Sequence, residues 1–505
     1  MFKKLRYAGM LLLPLLLLPI LCVGALPTLP VVAPQAAPAL SARLATLAAT
    51  GLDVRSVGAK GDGVGDDTAA ITQAMASSNT LYLPAGRYRI AGQLTVAAGV
   101  EMGFAPDAVL VTDGGSIRFN GTLVADNTAV FGGTVKVTGK PENAVGNPVW
   151  FGAKGDGVTN DTAAFAKAAE LFSQVDIPVS EKGYVVGDLT LNRACVLMQG
   201  ESPERKAKLI APADADAVIS VGTGKVDLQY LHFEMAAAPE ATCIYYNTRR
   251  AGIDQCHARY IDAFDAGCVI KDAHASNMMI TSKFEHIRAY RCRGTAIATA
   301  DMWGFIFFSD ITLDYTGVEQ TLEVPAVTVR DNAGAIFSDV TVIGNGGSDN
   351  AHGICIFPSA AVWLRGVTVR NVGGNGIYIS GCGDLYLMDI AVHGAKKTAI
   401  LMENSRCIRL LNADITFKEG AERMAHGVYV TGGTHNQLQN ISVTGAPFNG
   451  VTLTGTSRNN AMGLRLNNCG GYGLYNKGAA SAFSDITGEG NRSALIYDIM
   501  TGEGK

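Results

Sequence analysis

The residues of this chain that could do chemistry recur at one position of a spaced pattern. Three places after the central apolar residue of successive short segments stand Glu234, Arg259, Tyr290, Asp314, Ile343, Arg370, His393 and Lys418. Arg291 and Tyr315 follow one place later. A strip that mixes carboxylate, guanidinium and phenol offers cations for acidic groups and aromatic faces for flat ligands. An ordinary solvated strand edge has a similar composition. Two polar inserts interrupt the spacing: ATADMWGFIFF at 298–308 brings Asp301 and Trp303, and GNGGSDNAHG at 344–353 brings Asp349 and His352. Cleaving a glycosidic bond by hydrolysis takes two carboxyl groups, about 5–5.5 Å apart for retention or about 6.5–9.5 Å for inversion. Asp301, Asp314 and Asp349 are the candidates. β-Elimination takes a base instead, a role open to Arg259, Tyr290, Arg291 or His352. Arg259, Tyr290, Arg291, Trp303, Tyr315 and Arg370 would bind the substrate.

These positions need elements that repeat. A short strand motif returns as SDITLDY, SDVTVIG, RGVTVRN, MDIAVHG, ADITFKE, QNISVTG and SDITGEG, centred on Ile311, Val340, Val367, Ile390, Ile415, Ile441 and Ile486. Successive gaps are 29, 27, 23, 25 and 26 residues, then 45, which covers two turns with Leu464 between them. A second motif runs alongside as HGICIF, NGIYIS, HGVYVT, NGVTLT and YGLYNK. Periods of this length indicate a solenoid. Two strand motifs per turn with no helical spacing between them make it a parallel β-helix, with coils about 4.8 Å apart. The pattern predicts roughly ten to twelve coils between residues 185 and 490. Asp310, Asp339, Asp389, Asp414, Asn440 and Asp485 each precede the central apolar residue. Such a column reads as a turn ladder of short side chains bonded to nearby backbone.

One stretch is used twice. GAKGDGV is identical at 58–64 and 152–158, and DTAA recurs at 67–70 and 161–164, an offset of 94 residues throughout. Each copy is a glycine-rich turn followed by a helix start, with Asp67 and Asp161 at the N-cap position. Helices are predicted over 68–76 and 161–171. GAKGDGVxxDTAA followed by YLPAGRYRI resembles the N-terminal signature of the pectate-lyase-like, rhamnogalacturonase/epimerase-like β-helix proteins. The second copy lacks the Pro-Ala-Gly turn. The resemblance implies an all-β fold, a right-handed single-stranded parallel β-helix whose open end is capped by short helices, here with the opening motif duplicated. It also implies a polysaccharide as substrate or partner, since that superfamily holds polysaccharide lyases, hydrolases and phage tailspikes. No series like the NTD…DD…GHG…RIK of polygalacturonases is present, nor the calcium-binding aspartates of pectate lyases. The resemblance therefore brings no catalytic residues with it. Hydrolase, lyase, epimerase and a non-catalytic recognition or structural role all stay open, the last with a homotrimer if the chain is tailspike-like.

Composition narrows the partners. The formal net charge is −4 and only 17% of the 505 residues are charged, which argues against nucleic acid. Lys3, Lys4 and Arg6 precede an apolar run from Met10 to Val23, broken by Pro14 and Pro19, with Val23-Gly24-Ala25 as a cleavage site. Residues 1–25 thus read as a signal peptide for secretion or display at the periplasm or cell surface, the only link to a membrane. Residues 26–50 read as a Pro/Ala-rich linker, 51–147 as a small β unit and 148–499 as the β-helix. The nine cysteines beyond Cys22 are odd in number and scattered, so free buried thiols are expected. No CxxC pair or EF-hand spacing occurs; no cofactor or metal is expected, and calcium has no motif to support it.

Overall fold

The computed structural model describes residues 37–133, 136–247, 253–272, 279–300, 303–318, 322–498 and 503–504. The predicted signal peptide and Asp301 lie outside these residues. From Ala37 onward the chain belongs to one compact unit. The predicted linker gives way to a helix, α1 (Ala37–Thr50), which buries Leu44 and Leu47 against Val124. Arg43 pairs with Glu101, and Ser41 donates to Asp126 at 3.2 Å. The alanines that suggested a linker are good helix formers, and two leucines three apart give them a face to bury.

Both copies of the repeated motif build the same device. Each begins with a turn of 3₁₀-helix closed by a left-handed glycine, Gly58 (φ 101°) and Gly152 (φ 94°). The helices α2 (Thr68–Ser77) and α3 (Thr162–Leu171) follow as predicted. Their caps sit one residue earlier than expected. Asp66 and Asn160 accept from the backbone N–H of Thr68 and Thr162, both at 3.0 Å. Asp67 and Asp161 are instead buried and turn back to their own glycine loops. Asp67 accepts from Lys60 N at 2.6 Å and Gly61 N at 3.2 Å, and Asp161 from Lys154 N at 2.8 Å and Gly155 N at 3.1 Å. Gly61 and Gly155 lie against the rings of Tyr88 and Tyr184, where any side chain would collide. A tyrosine thus holds the second loop even without the Pro-Ala-Gly turn.

Between the two motifs, short parallel strands form three sheets of four, four and three strands, a small three-sided solenoid. It runs directly into the larger one. Phe131 stacks on Phe151 at 5.2 Å, and Trp150 Nε1 donates to Asp126 O at 2.9 Å. The boundary expected near 147 is therefore a continuous hydrophobic core.

The larger solenoid has two long parallel sheets of 17 and 14 strands, the second ending in a short antiparallel strand. In the first, three coils contribute two half-strands each and the rest contribute unbroken strands. These are β1 (Val226–Glu234), β2 (His257–Phe264), β3 (Ser282–Tyr290), β4 (Trp303–Asp314), β5 (Ala333–Ile343), β6 (Trp363–Arg370), β7 (Tyr386–His393), β8 (Arg409–Thr416), β9 (Gln437–Thr444), β10 (Asn460–Asn467) and β11 (Ala482–Thr487). Inward residues stack in register, Ile287 on Ile311 and Ile311 on Val340. Phe284, Phe308 and Phe337 stack at 4.8 and 4.6 Å inside.

Each unbroken strand bends at one left-handed residue with φ between 51° and 68°. The bend column runs Tyr230, Tyr260, His286, Asp310, Asp339, Gly366, Asp389, Asn412, Asn440, Gly463 and Asp485. It is the predicted ladder with one correction, Asn412 for Asp414. Ala413, not Ile415, pairs with Ile390, so Asp414 lies two residues past the bend. Asn412 Nδ2 donates to Asp389 at 3.0 Å and Asn440 Nδ2 to Asn412 at 3.1 Å, the expected side-chain ladder.

Candidate functional site: the bend of the long sheet

The bend column changes character along the molecule. In β1 to β4 it carries Tyr230, Tyr260, His286 and Asp310, bulky and chemically able residues in a conformation that favours glycine, asparagine or aspartate. The rings stack from coil to coil: Tyr230 on Tyr260 at 5.4 Å, Tyr260 on His286 at 4.4 Å and 13° from parallel. His286 Nδ1 then meets Asp310 Oδ2 at 2.6 Å. Arg288, two residues along β3, donates to Asp310 Oδ1 at 2.7 Å and to Asp310 O at 2.6 Å. Burial pushes the Asp310 carboxyl up, but the bonds and charges of His286 and Arg288 outweigh it and leave the group below the usual carboxylate range. It is a fixed anion beside an aromatic ladder.

Two further columns flank the bend. Two and four residues past it stand His232, Asp262 and Arg288, then Glu234, Phe264, Tyr290 and Asp314. Phe264 stacks on His232 and on Tyr290, both at 5.0 Å, and Arg291 lies 5.3 Å over the Phe264 ring. Glu234 meets His232 at 2.9 Å, and Lys206 meets Asp262 at 2.6 Å. One residue before the bend, Glu285 is half-buried; it pairs in register with Ser309, the neighbour of Asp310. Adjacent strands lie about 4.8 Å apart, so the Cα atoms of Glu285 and Asp310 are about 6 Å apart. A histidine and an arginine meet the Asp310 carboxylate here, with Glu285 on the neighbouring coil. Such a group can fix a polar ligand and move a proton.

At the far end of the same bend, a cavity of about 450 Å³ is lined by Asn440, Ser442, Gly463, Arg465, Asp485 and Thr487. The bend is thus recessed well beyond the aromatic stretch. Among the described residues, no group of three His, Cys, Asp or Glu side chains stands where a metal could be held.

The residues singled out by spacing divide. Tyr290 and Arg370 keep their column and point outward, Tyr290 half-buried and Arg370 exposed. Asp314 keeps its column too, but its carboxylate closes its own turn, accepting from Thr316 N at 2.8 Å and Thr316 Oγ1 at 2.7 Å. Arg291 grips Asp265, which it holds below the usual carboxylate range with help from Arg293. Three placements correct the expectation. Arg259 is not in the column: it pairs with Gln229 and Glu285 before the bend, and Phe264 takes the place beside Glu234. Its guanidinium donates to the buried Asp227 at 2.8 Å. Lys418 is replaced by Thr416, which pairs with His393. Tyr315 is wholly buried, donating its hydroxyl to Gly294 O at 2.9 Å, so it cannot touch a ligand.

Among the described residues, the second insert makes its contacts toward the C-terminal coils. Asp349 meets Lys397 at 3.1 Å, two coils toward the C-terminus. His352 Nδ1 accepts from Asn375 N at 2.8 Å. Burial, then the charge of Lys397, pushes this imidazole down to about 4. It is a neutral structural acceptor. Trp303 begins β4, pairing with Ala333.

Residues 52–132 match the family model described as Rhamnogalacturonase A/epimerase, pectate lyase-like, and residues 330–501 match the Right handed beta helix region. This chain is a right-handed parallel β-helix protein whose opening segment is similar to the pectate-lyase-like family. No curated protein matches it. Among solved structures, the β-helix is similar to the catalytic domain of a GH87 α-1,3-glucanase in complex with nigerose. The two share 13% identity over 66% of this chain and 67% of that one, with a TM-score of 0.42. It is also similar to tailspike protein 2 of an Escherichia coli O157:H7 bacteriophage, at 10% identity and TM-score 0.41. That match covers 65% of this chain and 42% of the tailspike. A tailspike of Acinetobacter phage vb_AbaP_AS12 gives 12% identity, coverage of 68% and 62%, and TM-score 0.43.

The aromatic stretch from Tyr230 to Asp314 lies between the two matched segments of this β-helix. Spacing did not single out Tyr230, Tyr260, His286 or Glu285, and it assigned Asp310 to the turn ladder. The signal was nonetheless there. Each of the first three immediately precedes an apolar residue, Leu231, Ile261 or Ile287, as Asp310 precedes Ile311.

Proposed function

We propose that this β-helix protein binds a polysaccharide along the bend of its long sheet and cleaves it beside Asp310. The observation that carries the reading is the outward stack Tyr230, Tyr260 and His286 ending on an anchored carboxylate. Aromatic rings in left-handed backbone cost conformational energy, about 1–3 kcal/mol each, and the packing of the hydrophobic core does not require them there. Half-exposed rings in a row suit the apolar faces of sugars, and the flanking His232, Asp262 and Arg288 suit hydroxyl and acidic groups. Asp310, kept ionised by Arg288 and His286, is the stabilising or basic partner. Glu285, one coil away, is the proton donor. The N-terminal sequence supports export to where such polymers are met.

The test is incubation of the purified protein with uronate-containing and neutral polysaccharides. New ultraviolet absorbance from an unsaturated uronate identifies a lyase, and new reducing ends without it a hydrolase. Asp310→Asn and Glu285→Gln should each lower the rate about a hundredfold or more. Retained binding with no cleavage of any polymer would leave recognition alone as the function of the bend. Full activity in both variants would remove the site.

A further inference from the structure

The outer face of the same sheet carries a second feature, on the other side of the bend. Three residues before the bend of each strand, Phe307, Ile336, Trp363, Tyr386 and Arg409 pair in succession across β4 to β8. Trp363 is 40% exposed, more than almost any other large apolar side chain of the long sheet. Its ring lies 5.3 Å from that of Tyr386. Arg409 fixes Tyr386 twice, lying 4.8 Å over the ring and donating to its hydroxyl at 2.7 Å. Rings held this way lose little freedom when a ligand covers them.

We infer that this strip is an accessory glycan-binding platform, which takes the apolar faces of a sugar chain while Arg409 meets its hydroxyls. The inference rests on the reading of the bend as a polysaccharide site. The strip's shape argues for this occupant. It is narrow: the column beside it runs Ser309, Ser338, Arg365 and Met388, and Phe305 and Met388 are the exposed apolar side chains next to it, whereas the core of a protein interface is a broad apolar patch. Every strand beneath it is hydrogen-bonded on both sides, so a peptide cannot add as a further strand. Five coils span about 19 Å, the reach of a short oligosaccharide. Trp363 lies three coils beyond His286, about 14 Å along the axis, so a chain of several sugars can touch both places while a disaccharide cannot.

Native gels cast with polygalacturonate, alginate, dextran or laminarin test this. In whichever gel retards the wild type, Trp363→Ala should weaken retention tenfold or more and Trp363→Phe should restore most of it. Cleavage of oligosaccharides too short to reach the strip should stay unchanged. Retention by Trp363→Ala equal to wild type, with Tyr260→Ala losing it, would overturn the platform and leave the bend standing. A wild-type dimer in light scattering that Trp363→Ala dissociates would make the strip a contact between copies and overturn the inference. No retardation of the wild type by any polymer would overturn both readings together.

Discussion

Single residues here do one of two jobs, and the same position can do either. At the bend, Asn412 ties its neighbours together, donating to Asp389 and accepting from Asn440. Asn412→Val should therefore lose both bonds and strain a left-handed backbone, costing about 2–4 kcal/mol, while Asn412→Gly should cost clearly less. Chemical denaturation measures both. Five coils away along the same column, His286→Asn should leave the midpoint almost unchanged if its role is the ligand. The buried histidines make a different prediction. Burial pushes His426 down to about 4, and burial and Lys397 push His352 to about 4. In the unfolded chain both titrate near 6.5, so between those values the unfolded state binds more protons. Their contribution to stability is complete above about pH 6.5 and is lost as pH falls toward about 4. A melting temperature that falls steadily over this window, with a shallower fall in His426→Asn, is the expected result. Asp265 and Asp310 act lower: their folded values are depressed, so their stabilisation fades only as pH falls through the usual carboxylate range and below.

The elements were legible where one residue type repeats and illegible where register slips. Ile311, Val340 and Val367 named their strands correctly because each sits inward at the same place relative to the bend. ADITFKE misled because Ile415 is as apolar as its neighbours, whereas the true counterpart of Ile390 is the small Ala413. That shift of two residues keeps every side chain on its proper face, so alternation alone could not expose it. Arg259 was misplaced by a larger step: it lies one residue before the bend, five short of Phe264, which holds the column's place beside Glu234. The helix α1 was missed because its buried face is only Leu44 and Leu47 within a run of alanines. The duplicated motif gives the sharpest test at this scale. Asp67 and Asp161 are both nearly fully buried and each holds two backbone N–H groups of its loop. Replacing either by alanine orphans those donors and should cost about 2–4 kcal/mol. Asp66→Ala, at an exposed cap, should cost about 1 kcal/mol.

From Ala37 onward the molecule is one continuous stack of coils with a groove-like bend on its long sheet and two aromatic features beside it. Its core is assembled from inward residues that meet their equivalents one coil away, so stability is distributed along the axis. That arrangement leaves the outer face free to vary, which is how Tyr230, Tyr260 and His286 can occupy positions that Asp or Asn fill elsewhere. It also explains why the fold could be read from the sequence and the site could not: the repeat that reveals the solenoid is carried by inward residues, while the site is made of departures from the repeat. The account's central claim is that a sugar chain lies along this bend. A crystal structure with oligosaccharides prepared from a polymer that retards the protein tests it most directly. The account predicts sugar density across Tyr260 and His286, with a glycosidic oxygen between Glu285 and Asp310; density confined to the second sheet or the opening motifs, with the bend empty, would contradict it.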